Sequence, residues 1–214
     1  MPNFLEKQGA SKESLINYHN LAGYSQEHVN TYFRLLNESV THNKDLIDSV
    51  IQNSGGKITF PMETIYLENY LDGYNFNYVP FNNILAKMMN TEGYFEIDKI
   101  NRQNITIFYN TNCQSKKQRF TKIHEIMHFC QYLDLEFLAV VDDLFDNQNF
   151  PAELIYKLVD KSADKATAIY LMPNDYFIKK YQETQNVQEL SDYFQVSVPS
   201  IMYRLKECGL IASY

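Results

Sequence analysis

The chain has 214 residues, of which 45% are hydrophobic and 21% are charged. That length and composition exclude a wholly disordered chain and suffice for one domain, or one domain with a small appendage. The net charge of −7 argues against a protein that holds nucleic acid by bulk electrostatics. The three cysteines never form a C-x-x-C pair, and no apolar run is long enough for a membrane span. We therefore expect a soluble, cytoplasmic protein.

The first fifty residues are predicted to be helical. Apolar residues recur at helical spacing over 29–36 and again, in a second short stretch, over 46–51. The sequence Asn-Ser-Gly-Gly at 53–56 is the clearest break in this half of the chain. We therefore predict an N-terminal helical segment at 1–53.

The period of the pattern changes in the middle of the chain. Residues 57–90 fit no clear pattern, apart from a short helix predicted within 84–89. Two segments rich in β-branched and aromatic residues, 93–98 and 104–110, then predict a pair of strands joined by a turn.

Two longer helices are predicted next. A polar loop at 115–119 leads into a helix at 120–133. An Asp-rich loop at 142–149 precedes a helix that runs from Pro151 to Leu171, because proline fits the first turn of a helix. The Met-Pro pair at 172–173 closes or kinks that helix.

The helix at 120–133 contains the H-E-x-x-H motif His124-Glu125-Ile126-Met127-His128. Residues four apart lie on one face of a helix, so both imidazoles can converge on one tetrahedral zinc ion. Glu125, next to the first histidine, can act as the general base on the water that attacks a peptide bond. Zinc lowers the pKa of a bound water from about 15.7 to about 7. A chance coincidence is disfavoured, because these polar residues form one stripe on an otherwise apolar helix.

The motif does not supply the third ligand, and the other three histidines all lie in the first fifty residues. Gln131 and Asp134 stand where an extended motif would have glycine and histidine, and Asp134 could serve only if the helix broke after His128. Asp160 and Asp164, four apart on the next helix, are better candidates. Asp160 would be the third zinc ligand, and Asp164 would accept a hydrogen bond from a histidine ring. The alternative is that both are solvated acids.

These residues resemble known metallopeptidases. The D-x-x-A-D sequence at 160–164 is similar to the E-x-x-S-D of thermolysin-like enzymes. Residues 94–210 resemble the ImmA/IrrE family more closely, in which an asparagine ends a strand pair and an R-F-T-x-x-H-E-x-x-H helix follows. An E-x-x-A-N/D helix that ends in L-M-P and a helix-turn-helix-like segment complete the pattern. The matching residues here are Asn110, 119–128, 160–164 and 171–173.

The resemblance implies an α+β fold, a mostly helical zincin-like metallopeptidase core with a small β-sheet. It implies an intracellular zinc endopeptidase that cleaves a partner transcriptional repressor of helix-turn-helix type, in a phage, a mobile element or a stress response. An extended substrate could pair with the edge of strand Ile105–Tyr109. The alternative function is a zinc-containing regulator that inactivates its partner by docking without proteolysis.

The sequence does not fix two features of the site. The family's zinc acid is usually glutamate, and Asp160 is one methylene shorter, so its helix must sit closer or hold the metal less firmly. The group that would stabilise the oxyanion is not identified, and Tyr132, Tyr156 and Tyr170 are candidates by position alone.

The C-terminal segment at 186–214, behind a core at 54–185, is predicted to hold two short helices that resemble a helix-turn-helix. Ser197 can cap the second helix and Gly209 can end it. The charges of this segment sum to −1, which argues against DNA binding and favours docking on the core or on a regulator. The basic residues at 116–119 are interpreted as a solvated loop, and Cys130 as a core thiol.

Overall fold

The structure is a computed structural model that describes residues 21–82, 84, 91–147 and 149–212. Within these residues the chain forms eight α-helices and one three-stranded sheet. In chain order the elements are α1 (Gln26–Asn53), α2 (Ile65–Tyr70), β1 (Asn75–Phe81), β2 (Gly93–Ile97), β3 (Asn104–Asn110), α3 (Ser115–Leu133), α4 (Leu135–Asp146), α5 (Ala152–Leu171), α6 (Asn174–Thr184), α7 (Val187–Phe194) and α8 (Val198–Glu207). This mostly helical α+β architecture confirms the predicted fold class.

The sheet has the strand order β1-β3-β2, in which β1 is parallel and β2 antiparallel to the central strand. The predicted strand pair is confirmed at β2 and β3. The sequence gives no sign of β1, whose asparagines and Pro80 hide the alternation of a strand. Because β3 is paired on both sides, the expectation that a substrate pairs with Ile105–Tyr109 is wrong. Among the described residues, the free edges belong to β1 and β2.

The two helical stretches predicted near the N-terminus form one continuous helix, α1. Ser25 caps it by accepting a hydrogen bond from the backbone N–H of His28 at 3.2 Å. Its middle faces α5, where Asn43 donates long hydrogen bonds to the carbonyl and hydroxyl of Ser162. Any helix before Leu21 lies outside the described residues, as does most of the helix predicted within 84–89.

The segment around the Asp-rich stretch differs from prediction, because residues 142–146 belong to α4 rather than to a loop. Asp134 starts α4, since its side chain accepts hydrogen bonds from two backbone N–H groups of the first turn. Buried Leu144 then holds the helix to the core. The next helix, α5, begins after Pro151 and ends at Leu171, as predicted.

The buried apolar side chains form two clusters. The larger, cluster A, lies between the sheet, α3, the second half of α5 and the C-terminal helices. The smaller, cluster B, joins the first halves of α1 and α5 to α4. Helix α1 contributes Val29 and Leu36 to cluster B, and Ile47 and Val50 to cluster A. The proposed boundary at residue 53 stays a prediction, but the helix that precedes it packs into both clusters.

The basic residues at 116–119 are not a solvated loop, so that interpretation is wrong. They lie in the first turns of α3, and the side chain of Arg119 is only 13% exposed. Its guanidinium donates to the carbonyl of Met62 and to the carbonyls of Phe194 and Gln195. Lys116 Nζ donates to Ser191 and Asp192 at the same junction. These cations hold the C-terminal helices against the core.

A second, fully buried set of charges fixes α8. Glu207 lies 2.7 Å from Lys165 Nζ on α5 and 3.0 Å from Arg204 Nη1, and the three side chains are at most 8% exposed. Arg204 also donates to the carbonyl of Met172. Ser197 caps α8, and Gly209, with φ +67°, follows its end as predicted. The C-terminal segment therefore docks on the core, and its buried arginine points inward rather than toward a duplex.

Candidate metal centre

From Thr121 onward α3 is buried against the sheet and α5, and this packing brings the motif residues to face α5. His124 and His128 on α3 and Asp160 on α5 each offer one ligand atom, and these atoms all lie within 4.8 Å of one another. His124 Nε2 is 3.6 Å from Asp160 Oδ1. The two imidazole rings stand almost perpendicular, with centroids 4.5 Å apart. The structure thus assembles the three side chains that the sequence selects as ligands.

The donor set suits a metal ion. Donors about 2.0–2.1 Å from a tetrahedral zinc ion are about 3.3 Å apart, so a small closure of the observed spacing is sufficient. Two imidazoles and one carboxylate also leave the fourth position free, as in catalytic zinc sites. Among the described residues, no other group of three or more such side chains converges in this way. The residues present therefore fit a zinc ion.

Asp164 lies on the far side of the His124 ring. Its Oδ1 is 3.1 Å from His124 Nδ1, although this buried nitrogen makes no well-aligned hydrogen bond. Lys161 Nζ, 2.6 Å from Asp164 Oδ2, holds the carboxylate in turn. His124 therefore turns Nε2 toward Asp160 and Nδ1 toward Asp164, which is the orientation expected of a ligand and its supporting acid. The assigned roles remain predictions.

Gln131 supports the second histidine, and sequence reasoning missed it. Its Oε1 is 2.8 Å from His128 Nδ1, and its Nε2 donates to the carbonyl of Val159 at 3.1 Å. Since an amide oxygen only accepts, His128 Nδ1 is the donor and Nε2 is left for a ligand role. The available signal was the i, i+3 spacing from His128. One buried amide thus connects His128 to the residue that precedes Asp160.

The pKa values reflect crowding of carboxylates around two buried rings. Burial alone would lower the pKa of His124, but Asp160 and Asp164 outweigh it and raise this pKa to about 9. Burial, together with the positive field of His124, lowers the pKa of His128. Burial raises the pKa of Glu125 to about 7, which lets the carboxyl exchange a proton near neutral pH. The site has the negative character that favours a bound cation.

The side chain of Glu125, on α3, lies beside Gly93, the first residue of β2. It is 7% exposed, and a Cβ built on Gly93 would lie 3.0 Å from its Oε1 and 2.4 Å from Thr121 Cγ2. Only a residue without a side chain allows strand and helix to approach this closely. The edge strand β2 therefore starts directly beside Glu125.

The remaining candidates from the sequence have different positions. The Tyr170 hydroxyl is buried and donates to the carbonyl of Glu63, so it is occupied by the core. Tyr132 and Tyr156 are exposed, and both stay candidates for the oxyanion group. Asp134 caps α4 and lies 2.8 Å from His42 Nε2, away from the two motif histidines.

Metal-dependent peptidases are the class of protein that this helix pair and its donor set indicate. More specifically, residues 83–206, over half of the chain, match the family Peptidase_M78, described as the IrrE N-terminal-like domain. The chain belongs to this family, as the resemblance in its sequence predicts. Membership indicates a peptidase-type hydrolase and implies a metal. None of the helices in the described part of the chain combines the length and apolar character needed to cross a bilayer.

A solved structure of a Mycobacterium tuberculosis transcriptional regulator is similar to this chain, with a TM-score of 0.53 and 12% sequence identity. The likeness covers 95% of this chain and 52% of the regulator, so the chain spans about half the length of that protein. At this identity the likeness concerns the fold. No curated protein sequence matches the chain.

Proposed function

We propose that the chain is a zinc-dependent endopeptidase that cleaves a cytoplasmic partner, a helix-turn-helix transcriptional repressor. The observation that carries the proposal is the convergence of two α3 histidines and an α5 aspartate beside a buried glutamate, in a member of a peptidase family. The repressor comes from the resemblance to the ImmA/IrrE family. The fold shared with a transcriptional regulator is compatible with a regulatory role.

His124, His128 and Asp160 would hold the zinc ion, which supplies Lewis acidity and lowers the pKa of a water from about 15.7 to about 7. Glu125 takes the proton of the attacking water and later gives it to the leaving amine. Burial, which raises the pKa of this carboxyl, favours its holding the proton until the amine leaves. Asp164 keeps the His124 ring in one orientation by its contact with Nδ1.

The outer edge of β2 is the proposed docking strand for the substrate. A substrate in extended conformation can add to an exposed strand through backbone hydrogen bonds. Strand β2 is paired only with β3 among the described residues, and it begins at Gly93 beside Glu125. A peptide added there would run past the general base.

The test combines metal content with cleavage of candidate partners, namely helix-turn-helix repressors encoded by genes that flank this one in its genome. We expect about one zinc per wild-type chain by elemental analysis, retained in Glu125→Gln and lost in Asp160→Ala. Asp142→Ala, at an exposed position on α4, is the matched control and should keep both metal and activity. Wild-type protein should cut the repressor at one bond, detected by gel and mass spectrometry, and Glu125→Gln should not.

Two outcomes would overturn the proposal. If the wild-type chain takes up no zinc, the proposed zinc site is wrong. If Glu125→Gln still inactivates the repressor in a reporter assay, proteolysis is not the mechanism, and the protein acts by docking.

A further inference from the structure

A cavity of about 680 Å³ lies behind the candidate metal centre, bounded by α1, the end of α3, α4 and α5. We call it the rear cavity. It occupies the place where the two clusters meet, since Leu35 and Leu158 belong to cluster B and Leu71 belongs to cluster A. Its volume falls within the range of about 300–1,000 Å³ that is usual for small-molecule sites. Leu135 and Val140 line the part of the cavity that is open to solvent, and their side chains are 78% and 39% exposed.

The lining of the rear cavity combines an apolar wall with carboxylates. Most of its residues are aliphatic or aromatic, and its acids are Glu38, Asp134 and Glu136. No lysine or arginine is among the lining residues, but Glu38 is paired with Arg34 at 2.9 Å and Asp134 lies 2.8 Å from His42. With histidine counted as neutral, Asp134 and Glu136 still give the lining a net negative charge. Apolar walls favour a hydrocarbon body, and acids favour a positive head group. Charge complementarity therefore selects a small amphipathic cation.

The rear cavity is connected to the candidate metal centre through one side chain. Gln131 lines the cavity, its Oε1 accepts a hydrogen bond from His128, and its Nε2 donates to Val159, the residue before Asp160. A ligand that moves this amide therefore acts on a candidate ligand from each helix. Such a connection gives a coupling free energy between two sites, and the coupling must be reciprocal.

We propose that the rear cavity is an effector site for a small primary amine with an apolar body, and that occupancy changes metal affinity through Gln131. The binding site stands on the cavity alone, whereas the coupling rests on the proposed function. The volume, the acidic lining and the bridging amide are the three observations that support it.

The first experiment uses three probes with the same hydrocarbon chain, namely n-octylamine, 1-octanol and octanoate. Isothermal titration of the full chain should give saturable binding, with the amine tightest and octanoate weakest. Val140→Trp at the lining should weaken the amine by at least about 10-fold, because the indole takes up part of the cavity where it meets solvent and hinders entry of the ligand. Leu135→Trp, at a more exposed position, is the second blocking variant if the first does not fold. No saturable binding of any probe, or no effect of a folded blocking variant, would overturn the site.

The second experiment tests the charge preference. Asp134→Asn keeps an N-cap for α4 but removes a carboxylate from the lining, so the advantage of octylamine over octanol should shrink about 3- to 10-fold. Asp143→Asn, on the same helix but outside the cavity, is the matched control and should leave it unchanged. Octanoate binding as tightly as octylamine would refute the assigned ligand class.

The third experiment measures the coupling. Zinc affinity is determined by chelator competition with and without saturating octylamine, and octylamine affinity with and without zinc. We expect octylamine to change the zinc affinity, and zinc to change the octylamine affinity, by the same factor of at least about 3-fold. Gln131→Leu should bring that factor to one while octylamine still binds. A factor of one in the wild type would refute the coupling. A chain that binds octylamine but no zinc would overturn the proposed function and not the effector site.

Discussion

The substitution Gly93→Ala tests how closely β2 must approach α3, the helix that carries the H-E-x-x-H motif. A Cβ there would lie 2.4 Å from Thr121 Cγ2, whereas carbon atoms in contact are about 3.5–4.0 Å apart. The helix or strand must therefore move by about 1 Å, and Phe108 O and Glu125 Oε1, each 3.0 Å from the new atom, restrict its escape. Overpacking of this kind costs about 1–3 kcal/mol. A displacement of about 1 Å at a reacting group can lower a rate by about 100-fold.

Urea unfolding followed by fluorescence or circular dichroism measures the first effect, and cleavage of the partner repressor measures the second. We expect Gly93→Ala to lose about 1–3 kcal/mol of unfolding free energy and about 100-fold in cleavage rate. Zinc content should change little, because the new methyl group faces Thr121 and Glu125 rather than the three metal-facing side chains.

A second substitution provides the control. Thr121→Ser removes the methyl group that gives the 2.4 Å contact, so Gly93→Ala/Thr121→Ser should recover at least half of the lost stability. Thr121→Ser alone reports the cost of the missing methyl. If Gly93→Ala unfolds at the wild-type urea concentration, or if the double variant shows no recovery, close packing at β2 is not what positions Glu125.

Three further predictions concern the buried charges. Glu207→Gln leaves Lys165 and Arg204 without their carboxylate, so we expect a loss of about 3–5 kcal/mol and a Tm about 6–20 °C lower, measured by calorimetry. Burial raises the pKa of Glu207, but Lys165 and Arg204 outweigh it and hold this pKa below 4.5. Its contribution is therefore present above about pH 4.5 and is lost as the pH falls through the lower folded value, so wild type and Glu207→Gln should converge in urea unfolding as the pH is lowered below 4.5. A difference that persists unchanged in acid would contradict this. Arg119→Lys keeps the charge but loses the planar fork that reaches three carbonyls, and should cost at least about 2 kcal/mol by the same method. An unchanged urea midpoint would show that the fork contributes nothing to docking the C-terminal helices.

Local patterns in the sequence were sufficient to predict much of the site. The i, i+4 spacing in α3 and again at Asp160 and Asp164 fixes which side chains share a face, and the structure brings these faces together. The strand pair and the C-terminal helices were predictable for the same reason, since period and capping residues act over a few positions.

Features that depend on distant contacts were not predictable. Strand β1 exists because β3 offers a parallel partner, which its own asparagines do not reveal. Arg119 looked like one of several exposed cations, yet its carbonyl partners lie more than fifty residues away in both directions. The role of Gln131 likewise depends on the backbone of α5. Nothing within a short window of sequence identifies such partners.

The arrangement of α1 has a consequence for how the molecule loses its structure. Its 28 residues form a rod about 42 Å long, and the side chains of that rod belong to both hydrophobic clusters, as do those of α5. Neither cluster can open without exposing apolar residues on a helix that the other still holds. We therefore expect the chain to unfold as a single cooperative unit. A destabilising substitution in either cluster should then lower the fraction of molecules in which the whole chain is folded.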